Sequence, residues 1–470
     1  MSFVTKILQK AESEPGLHYR NPSIPHACSI PGGLSIGSKI YIHGLLSKDA
    51  SRFAINLQRG ADPDIADLHL HLLAKLGRSP VVVWNTRLRE LWGTEEQLSG
   101  SFPFPFAPKT FLLAITAYMD SFEIEIIGSS ANFSIKVRDG LPISSITHLA
   151  IEAELSVRAI HIPVENMPRN LRLSLGSGAK VGDIFYIRGQ PTEEAKSFII
   201  NWQNGPAKMD DVLFQLNPRL EEGRVVRNSR LDDEMGSEES SKDLPLTPGT
   251  PFQLTVGVFS LAFETYLDDK EWCSFKHRQD VAQAKTLFLE GDLQPTDICI
   301  DLAQMNPPNV SLNGKNLKSR GVRLQLMCPE VPVNSRVTGG FEKGCLLLIS
   351  GKIHTTPKKL QVAAQCGDGT EEECDIALRY SVVWEVDGSP KITMNSKEDD
   401  AWGQLVKSEE VLESLRPGSH FDLLIYYSED GFRCFLDGQE HAHLPYRLED
   451  LRPDHVTVCG DVQIQRLLLL

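Results

Sequence analysis

Long hydrophobic runs are absent from this 470-residue sequence. No stretch approaches the roughly 20 apolar residues that a membrane-spanning helix requires, and the start, MSFVTKILQKAESEPG, has no apolar segment typical of a signal peptide. These absences argue against an integral membrane protein and against export through a signal peptide. The sequence therefore predicts a cytoplasmic protein without a membrane span.

Positive charge is also scarce. Lysine and arginine total 48 residues against 62 aspartates and glutamates, which leaves a formal net charge of -14. Broad attraction to nucleic acid or anionic lipid requires a positive surface that displaces counterions. We therefore expect no nucleic-acid partner.

The nine cysteines are an odd number and lie mostly in the last third of the chain, so they do not form a disulfide framework. Cys366 and Cys374 flank the acidic segment GDGTEEE, but no C-x-x-C spacing accompanies them. His69 and His71 would share one face of a strand, yet no third metal ligand is evident. No Ser-His-Asp or paired-carboxylate arrangement stands out. The sequence predicts neither a metal nor another cofactor, and no enzyme.

One pattern occurs in three copies, at an interval of about 150 residues. Each copy has a glycine, an apolar strand, a second glycine and a second strand that contains glutamine: GSKIYIHGLL with RFAINLQRG, GDIFYIRGQP with SFIINWQNG, and GCLLLISGKI with KLQVAAQCG. Apolar and polar residues alternate, as in SFEIEI from 121 to 126, which is the period of a strand with one wet face. Short strands separated by turns favour an all-β fold of three tandem sandwich or jelly-roll domains.

The repeats also suggest domain boundaries. We predict a first domain over residues 1–162, a second over 163–300 and a third over 322–470. The polar, proline-bearing segment 301–321 is the predicted linker.

A shorter motif follows the same order in each copy: HLLAK, WNTR and WGTEEQ in the first, QLNPR, RNSR and MGSEES in the second, and RYSVV, MNSK and WGQLV in the third. These segments resemble galectins, the β-galactoside-binding lectins, over nearly the whole chain. In that family one strand carries H-x-N-P-R, the next carries an asparagine, and a W-G-x-E-x-R segment follows. The resemblance implies a jelly-roll fold and a non-enzymatic lectin.

The chemistry of such a site follows from the sugar. A sugar has hydroxyls on its rim and one patch of C–H bonds, so it needs a flat apolar platform and oriented polar groups. The resemblance makes Trp92 the platform, with Glu95 beside it. We expect Gly93 to let the backbone pass close under the ligand.

The resemblance assigns site residues unevenly. The first copy keeps His71, Asn85, Trp92 and Glu95, but Leu73, Lys75 and Gln97 replace the first asparagine and the two arginines. The second copy keeps Asn217, Arg219, Asn228 and Glu238, whereas Gln215, Met235 and Ser240 replace the histidine, the tryptophan and the second arginine. The third copy keeps Trp402 and Gly403, but Arg379 replaces the histidine and N-P-R is missing.

Structural alternatives remain for these residues. Trp92 could pack against a sheet edge, His71 could be an ordinary strand histidine, the Asn217–Arg219 segment could be a turn, and the asparagines could only cap strands. The first functional hypothesis is a lectin for galactose-containing or related glycans. The alternative is a galectin-fold scaffold that binds protein partners and whose sugar grooves are degenerate. Release from the cell by a leaderless route, as galectins can use, also stays open.

Overall fold

The computed structural model separates into two compact units: residues 10–303, and a second unit that holds the described residues from 323 to 470. Residues 304–321 of the predicted linker lie outside the described residues. The structure describes residues 7, 10, 11, 13–46, 50–62, 64–105, 110–129, 132–138, 142–153, 155–303, 323–327, 329–408, 413–436, 439–447 and 451–470.

The first unit contains two sandwiches, which we call module one and module two. The strands of module one are β1 Gly16–Arg20, β2 His26–Ser29, β3 Lys39–Leu46, β4 Arg52–Arg59, β5 Asp67–Lys75, β6 Val81–Leu88, β7 Leu91–Trp92, β8 Glu96–Gln97, β9 Thr110–Ala117, β10 Ser121–Ile127, β11 Asn132–Lys136, β12 His148–Ala153 and β13 Leu155–Pro163, with a 3-10 turn at Ile143–Ser145.

Module two repeats this order. Its strands are β14 Leu171–Ser174, β15 Ile184–Pro191, β16 Phe198–Gln203, β17 Val212–Arg219, β18 Arg224–Leu231, β19 Glu234–Met235, β20 Glu239–Ser241, β21 Phe252–Val258, β22 Ala262–Leu267, β23 Lys270–Lys276, β24 Thr286–Gly291 and β25 Leu293–Asp301, with a 3-10 turn at Val281–Gln283.

The second unit is module three. Its strands are β26 Leu324–Met327, β27 Val333–Arg336, β28 Leu346–Ile353, β29 Lys359–Gln365, β30 Ile376–Trp384, β31 Pro390–Glu398, β32 Ala401–Trp402, β33 Val406–Ser408, β34 His420–Ser428, β35 Gly431–Leu436, β36 Gln439–Pro445, β37 His455–Gly460 and β38 Val462–Leu469, with a 3-10 turn at Glu413–Leu415.

Each module has a front sheet that carries the motif strands. Front sheet one has the order β2-β12-β4-β5-β6-β7, front sheet two β14-β24-β16-β17-β18-β19, and front sheet three β27-β37-β29-β30-β31-β32; β8, β20 and β33 pair with β6, β18 and β31. Alternation decides which face is buried. In β5, Leu70, Leu72 and Ala74 lie in the core, whereas His71 and Lys75 point away from it.

Modules one and two share a continuous eleven-stranded back sheet with the order β11-β10-β9-β3-β13-β1-β25-β15-β21-β22-β23. Strand β1 connects the two halves because it pairs antiparallel with β13 and parallel with β25. The buried residues of both modules form one hydrophobic cluster. Module three has its own back sheet, β26-β38-β28-β34-β35-β36, and its own core.

The prediction of an all-β chain of three tandem β-sandwiches is confirmed by these sheets and repeats. The domain boundaries set at residues 162, 300 and 321 stay predictions. Within the described part of the chain, no helix is long and apolar enough to cross a bilayer.

His26 in the edge strand β2 is a buried titratable group. Its side chain is 3% exposed, its ring lies 5.2 Å from the ring of Tyr19, and neither ring nitrogen has a hydrogen-bond partner among the described residues. Burial lowers the pKa of His26 to about 4, from about 6.5 in an unfolded chain. The folded module therefore holds a neutral ring that the unfolded chain protonates at mildly acidic pH.

This burial predicts a loss of stability in acid. The contribution of His26 is complete above about pH 6.5 and is lost as the pH falls towards 4, because the unfolded state takes up a proton that the folded state excludes. Between pH 7 and pH 5 we expect a loss of about 2 kcal/mol in the free energy of unfolding from this residue. Urea unfolding at both pH values measures it.

The test compares His26→Leu with His354→Leu, whose histidine is exposed. The first variant should lose about 2 kcal/mol less than the wild type between pH 7 and pH 5, and the second should match the wild type. Equal losses in His26→Leu and the wild type would show that this ring does not carry the effect.

Candidate functional site

The strand register brings the motif residues of each copy to corresponding positions. His71 on β5 is opposite Asn85 on β6, Gln215 on β17 is opposite Asn228 on β18, and Arg379 on β30 is opposite Asn395 on β31. Each of these pairs lies next to a bulge in its strand pair. The three front sheets therefore present equivalent surfaces that differ in their side chains.

In module one, the surface formed by His71, Lys75, Asn85, Trp92 and Glu95 is called groove one. The Trp92 side chain is 51% exposed, and the ring of His71 meets it edge-on at 5.2 Å between centroids. The guanidinium of Arg87 lies 5.5 Å from the centroid of the indole. The indole is thus held at the surface of the sheet rather than buried under it.

His71 is oriented by a polar chain behind it. Its Nδ1 lies 2.7 Å from Oδ1 of Asn56, and Asn56 donates through Nδ2 to Glu152 at 2.9 Å. Burial and the nearby Arg87 lower the pKa of His71, so the ring is neutral at pH 7. Because Nδ1 then donates to Asn56, Nε2 is an acceptor for a ligand hydroxyl.

Two further predicted residues of module one form an ion pair. Nζ of Lys75 lies 3.8 Å from Oε1 of Glu95, and both side chains are about half exposed. Such a pair adds little to stability, so both groups can contact a ligand at low cost. Gln97 on β8 is opposite Val83 on β6, which is itself opposite Leu73 on β5, so the three residues form one row across the sheet. Leu73 supplies no polar group to that row.

Asn85 takes part in a clamp that holds the turn directly after Trp92. Its Nδ2 donates to the carbonyl of Gly93 at 3.1 Å, and its Oδ1 accepts from Nη1 of Arg138 at 3.3 Å. Arg138 also donates to the carbonyl of Thr94 at 2.5 Å and pairs with Glu96. One amide hydrogen of Asn85 remains for a ligand.

The same clamp occurs in the other modules. In each module an arginine lies two residues after the end of β11, β23 or β36. It donates to the motif asparagine and to the carbonyl of the residue after the motif glycine. The distances are 3.1 and 2.7 Å for Arg278 to Asn228 and Ser237, and 3.3 and 2.7 Å for Arg447 to Asn395 and Gln404. These arginines are not among the residues predicted from the sequence. The aligned segments FSIKVR, CSFKHR and AHLPYR contained the signal.

The clamp explains the motif glycine differently from our expectation. A Cβ atom at Gly93 would lie 3.0 Å from Nη1 of Arg138, 3.1 Å from Oδ1 of Asn85 and 3.2 Å from Oγ1 of Thr86. The glycine therefore makes room for the clamp. The expectation that Gly93 also lets the backbone pass close under a ligand stays a prediction.

Module two has an assembled polar cluster, which we call groove two. Asn217 donates through Nδ2 to the carbonyl of Phe198 at 2.7 Å and accepts from Nε of Arg219 at 2.9 Å. Arg219 lies 3.4 Å from Glu238, which also pairs with Arg224 at 2.9 Å. The Asn-Pro-Arg segment is the end of β17 and not a turn.

Two residues of this cluster were missed from the sequence. Glu222 pairs with Arg224 at 2.6 Å and with Arg219 at 3.7 Å, and the hydrogen bond from Arg224 is the main cause that lowers the pKa of Glu222. The charge alternation in RLEEGR was the available signal. Met235, at the platform position, is 55% exposed.

Module three lacks the polar readers. The guanidinium of Arg379 lies 3.8 Å from the centroid of Trp402, and its Nη1 lies 3.4 Å from Glu371. Val383 and Leu405 occupy the positions at which Lys75 and Glu95 form an ion pair in module one. The arginine thus stacks on one face of an indole that is itself 39% exposed.

Among the described residues, no group of three or more His, Cys, Asp or Glu side chains is placed to hold a metal ion. His69 and His71 do not share a ligand. His69 bonds to Oγ of Ser145 at 2.8 Å, whereas His71 bonds to Asn56.

Comparisons with known proteins show which family the chain is similar to. The family profile described as galactoside-binding lectin matches residues 25–162, 170–300 and 332–469. The 32 kDa beta-galactoside-binding lectin of Haemonchus contortus is 30% identical over 283 residues, which cover 60% of this chain and 96% of that lectin. Galectin-4 of Sus scrofa is 28% identical over 311 residues, which cover 58% of this chain and 94% of that protein. A structure of sheep galectin-11 with glycerol matches 28% of this chain and 97% of its own, at 22% identity and a TM-score of 0.27.

The clamp predicts that Arg138 positions Trp92. In Arg138→Met the turn loses its charged hydrogen bonds to Asn85, Thr94 and Glu96, so the indole should become more mobile. Fluorine NMR of protein labelled with 5-fluorotryptophan should show the Trp92 resonance shifted and broadened. Arg78→Met is the control, because Arg78 is exposed in the turn between β5 and β6. An unchanged Trp92 resonance in Arg138→Met would contradict the clamp.

Proposed function

Because the chain belongs to the galactoside-binding lectin family, we propose that groove one binds β-galactoside-containing glycans by stacking a sugar on Trp92. Family membership places the chain among lectins and not among enzymes. The observation that carries the proposal is the half-exposed indole of Trp92, held beside His71, whose Nδ1 bonds to Asn56 and whose Nε2 can accept a hydrogen bond from a ligand. The platform supports the C–H patch of the sugar, and the polar groups contact its rim.

We expect groove one to be weak. Hydrogen bonds to charged groups contribute roughly 1.5 to 3 kcal/mol each, and Leu73, Lys75 and Gln97 replace three readers of the family motif. Millimolar to micromolar binding corresponds to only about 4 to 8 kcal/mol in total. Lys75 offers one point charge where the planar fork of an arginine would make two contacts. The remaining affinity then depends mainly on Trp92, His71 and Glu95.

Groove two has the opposite balance. Asn217, Arg219 and Glu238 are already joined by hydrogen bonds and an ion pair, so little ordering is needed when a sugar binds. Gln215 replaces the histidine, and the exposed thioether of Met235 is a small platform in place of an indole. We therefore propose weak galactoside binding in groove two as well.

For module three we propose the alternative function, contact with a protein partner. Val383 and Leu405 are 45% and 44% exposed at positions where modules one and two have an ion pair. Exposed apolar side chains in place of polar readers favour a protein surface over a sugar hydroxyl. The cytoplasmic location and leaderless release stay predictions, which fractionation of cells and medium can test.

The proposal predicts unequal effects for the two exposed tryptophans. Trp92→Ala should reduce the affinity for an immobilised lactoside at least about tenfold, because the platform is lost. Trp402→Ala is the matched control and should leave the affinity unchanged, since Arg379 stacks on that indole and Val383 and Leu405 replace the polar readers beside it. A glycan array followed by biolayer interferometry measures both. The proposal is rejected if the wild type binds no galactoside, or if both variants bind as the wild type does.

The missing readers predict a gain of affinity when they are restored. Leu73→Asn combined with Lys75→Arg gives module one the Asn-x-Arg arrangement of module two, in which Nε of Arg219 bonds to Asn217. Two charge-assisted contacts should tighten lactoside binding at least about tenfold in calorimetry. Ser381→Asn with Val383→Arg is the matched control in module three and should have no effect. Absence of a gain in module one would mean that these positions do not contact the sugar.

A further inference from the structure

Strand β1 makes modules one and two a single block. Leu17 on β1 is opposite Ile162 of β13 and opposite Ile298 of β25, and Tyr19 is opposite Ile160 and Ile300. Leu17 and Tyr19 are each 1% exposed and belong to the common hydrophobic cluster. Because one strand completes both halves of the back sheet, movement of one module against the other would break its backbone pairing.

The pairing also determines where the grooves face. Strands β13 and β25 run in opposite directions, and the strands that follow them, β3-β9-β10-β11 and β15-β21-β22-β23, are in mirrored order. Two halves of a sheet that differ by reversed strand direction and mirrored strand order are related by a half-turn about an axis normal to the sheet. Such a rotation does not exchange the two faces of the sheet, so both cores lie on the same side of it. Front sheets one and two therefore cover the same side of the back sheet. Grooves one and two, on the outer faces of these front sheets, open in the same general direction.

The two front sheets also meet at their edges. Oγ of Ser29 on β2 donates to the carbonyl of Arg172 on β14 at 3.0 Å, and Oγ atoms of Ser23 and Ser177 lie 3.4 Å apart. From β5 to β17 the strands run β5-β4-β12-β2 and then β14-β24-β16-β17. Taking roughly 4.8 Å for each step between neighbouring strands, we estimate a separation of about 35 Å between the two grooves.

The grooves have complementary deficits. Groove one keeps the indole platform but lacks three readers, and groove two keeps the readers but has Met235 as its platform. Each is weak alone. A rigid spacing compensates for weak sites, because the second contact occurs at a high effective concentration when the ligand spans the distance.

We propose that residues 13–303 act as a fixed caliper that binds two β-galactoside ends about 35 Å apart on one ligand or one surface. The preferred ligands are widely spaced, multivalent galactosides, and closely spaced pairs are not favoured. The inference rests on the proposed function, since both grooves must bind galactosides.

Two lactosides joined by oligoproline spacers test the distance. Oligoproline extends by roughly 3.1 Å per residue, so spacers of about 4, 8, 12 and 20 prolines cover about 12 to 62 Å. With the full chain in solution, affinity should be greatest near 12 prolines and at least about tenfold above that of the monovalent lactoside. Analytical ultracentrifugation should show one chain per bivalent ligand at that length.

Trp92→Ala and Arg219→Ala should each remove the maximum while leaving the affinity for the other groove, and Trp402→Ala should retain it. If the monovalent lactoside binds but the affinity is independent of spacer length, or if two chains bind each ligand at every length, the caliper is rejected and the lectin function stands. If the monovalent lactoside does not bind at all, the proposed function fails together with the caliper.

Discussion

The backbone pairing of β1 is the constraint on which the first unit depends. Without β1, strand β25 would be an open edge of the back sheet of module two. The chain itself connects the two modules only through residues 164–170, between β13 and β14. An open edge exposes unpaired N–H and C=O groups to other chains. Strand β1 covers the edges of β13 and β25 at once, so neither module is closed without it. The single hydrophobic cluster is a consequence of that shared strand.

The motif letters separate into two physical groups. Asn85, Gly93 and their counterparts serve the clamp, in which an arginine bonds to the asparagine and to the turn. The clamp is present in module three, where Arg379 stacks on the indole and Val383 and Leu405 stand at the positions of Lys75 and Glu95. Asn85, Gly93 and their counterparts therefore indicate the turn beside the position of Trp92, Met235 or Trp402. The proposed sugar contact depends on the other motif residues, which vary between the copies.

Most of the fold and part of the site could be predicted from the sequence. The three copies and their strand alternation indicated an all-β chain, because period-two patterns and turn residues are local signals. The shared strand could not be predicted, since GLHYR has no local feature that pairs it with residues about 140 and 280 positions away. Arg138 and Glu222 were missed for a similar reason. In the sequence alone, a charged residue with folded-state partners looks the same as a solvated surface residue, because those partners come close only in the folded chain.

Lys75 and Arg219 occupy equivalent positions in modules one and two but are held differently. Nζ of Lys75 lies 3.8 Å from Glu95, whereas Nε of Arg219 is held by Asn217 at 2.9 Å and its guanidinium lies 3.4 Å from Glu238. An oriented guanidinium requires a neighbouring acceptor, and Leu73 in module one provides none. Loss of the asparagine thus also removes the advantage of an arginine two residues later. Asn217 and Arg219 therefore act as a pair that module one lacks, whereas the clamp holds the turn next to Trp92 without involving those two positions.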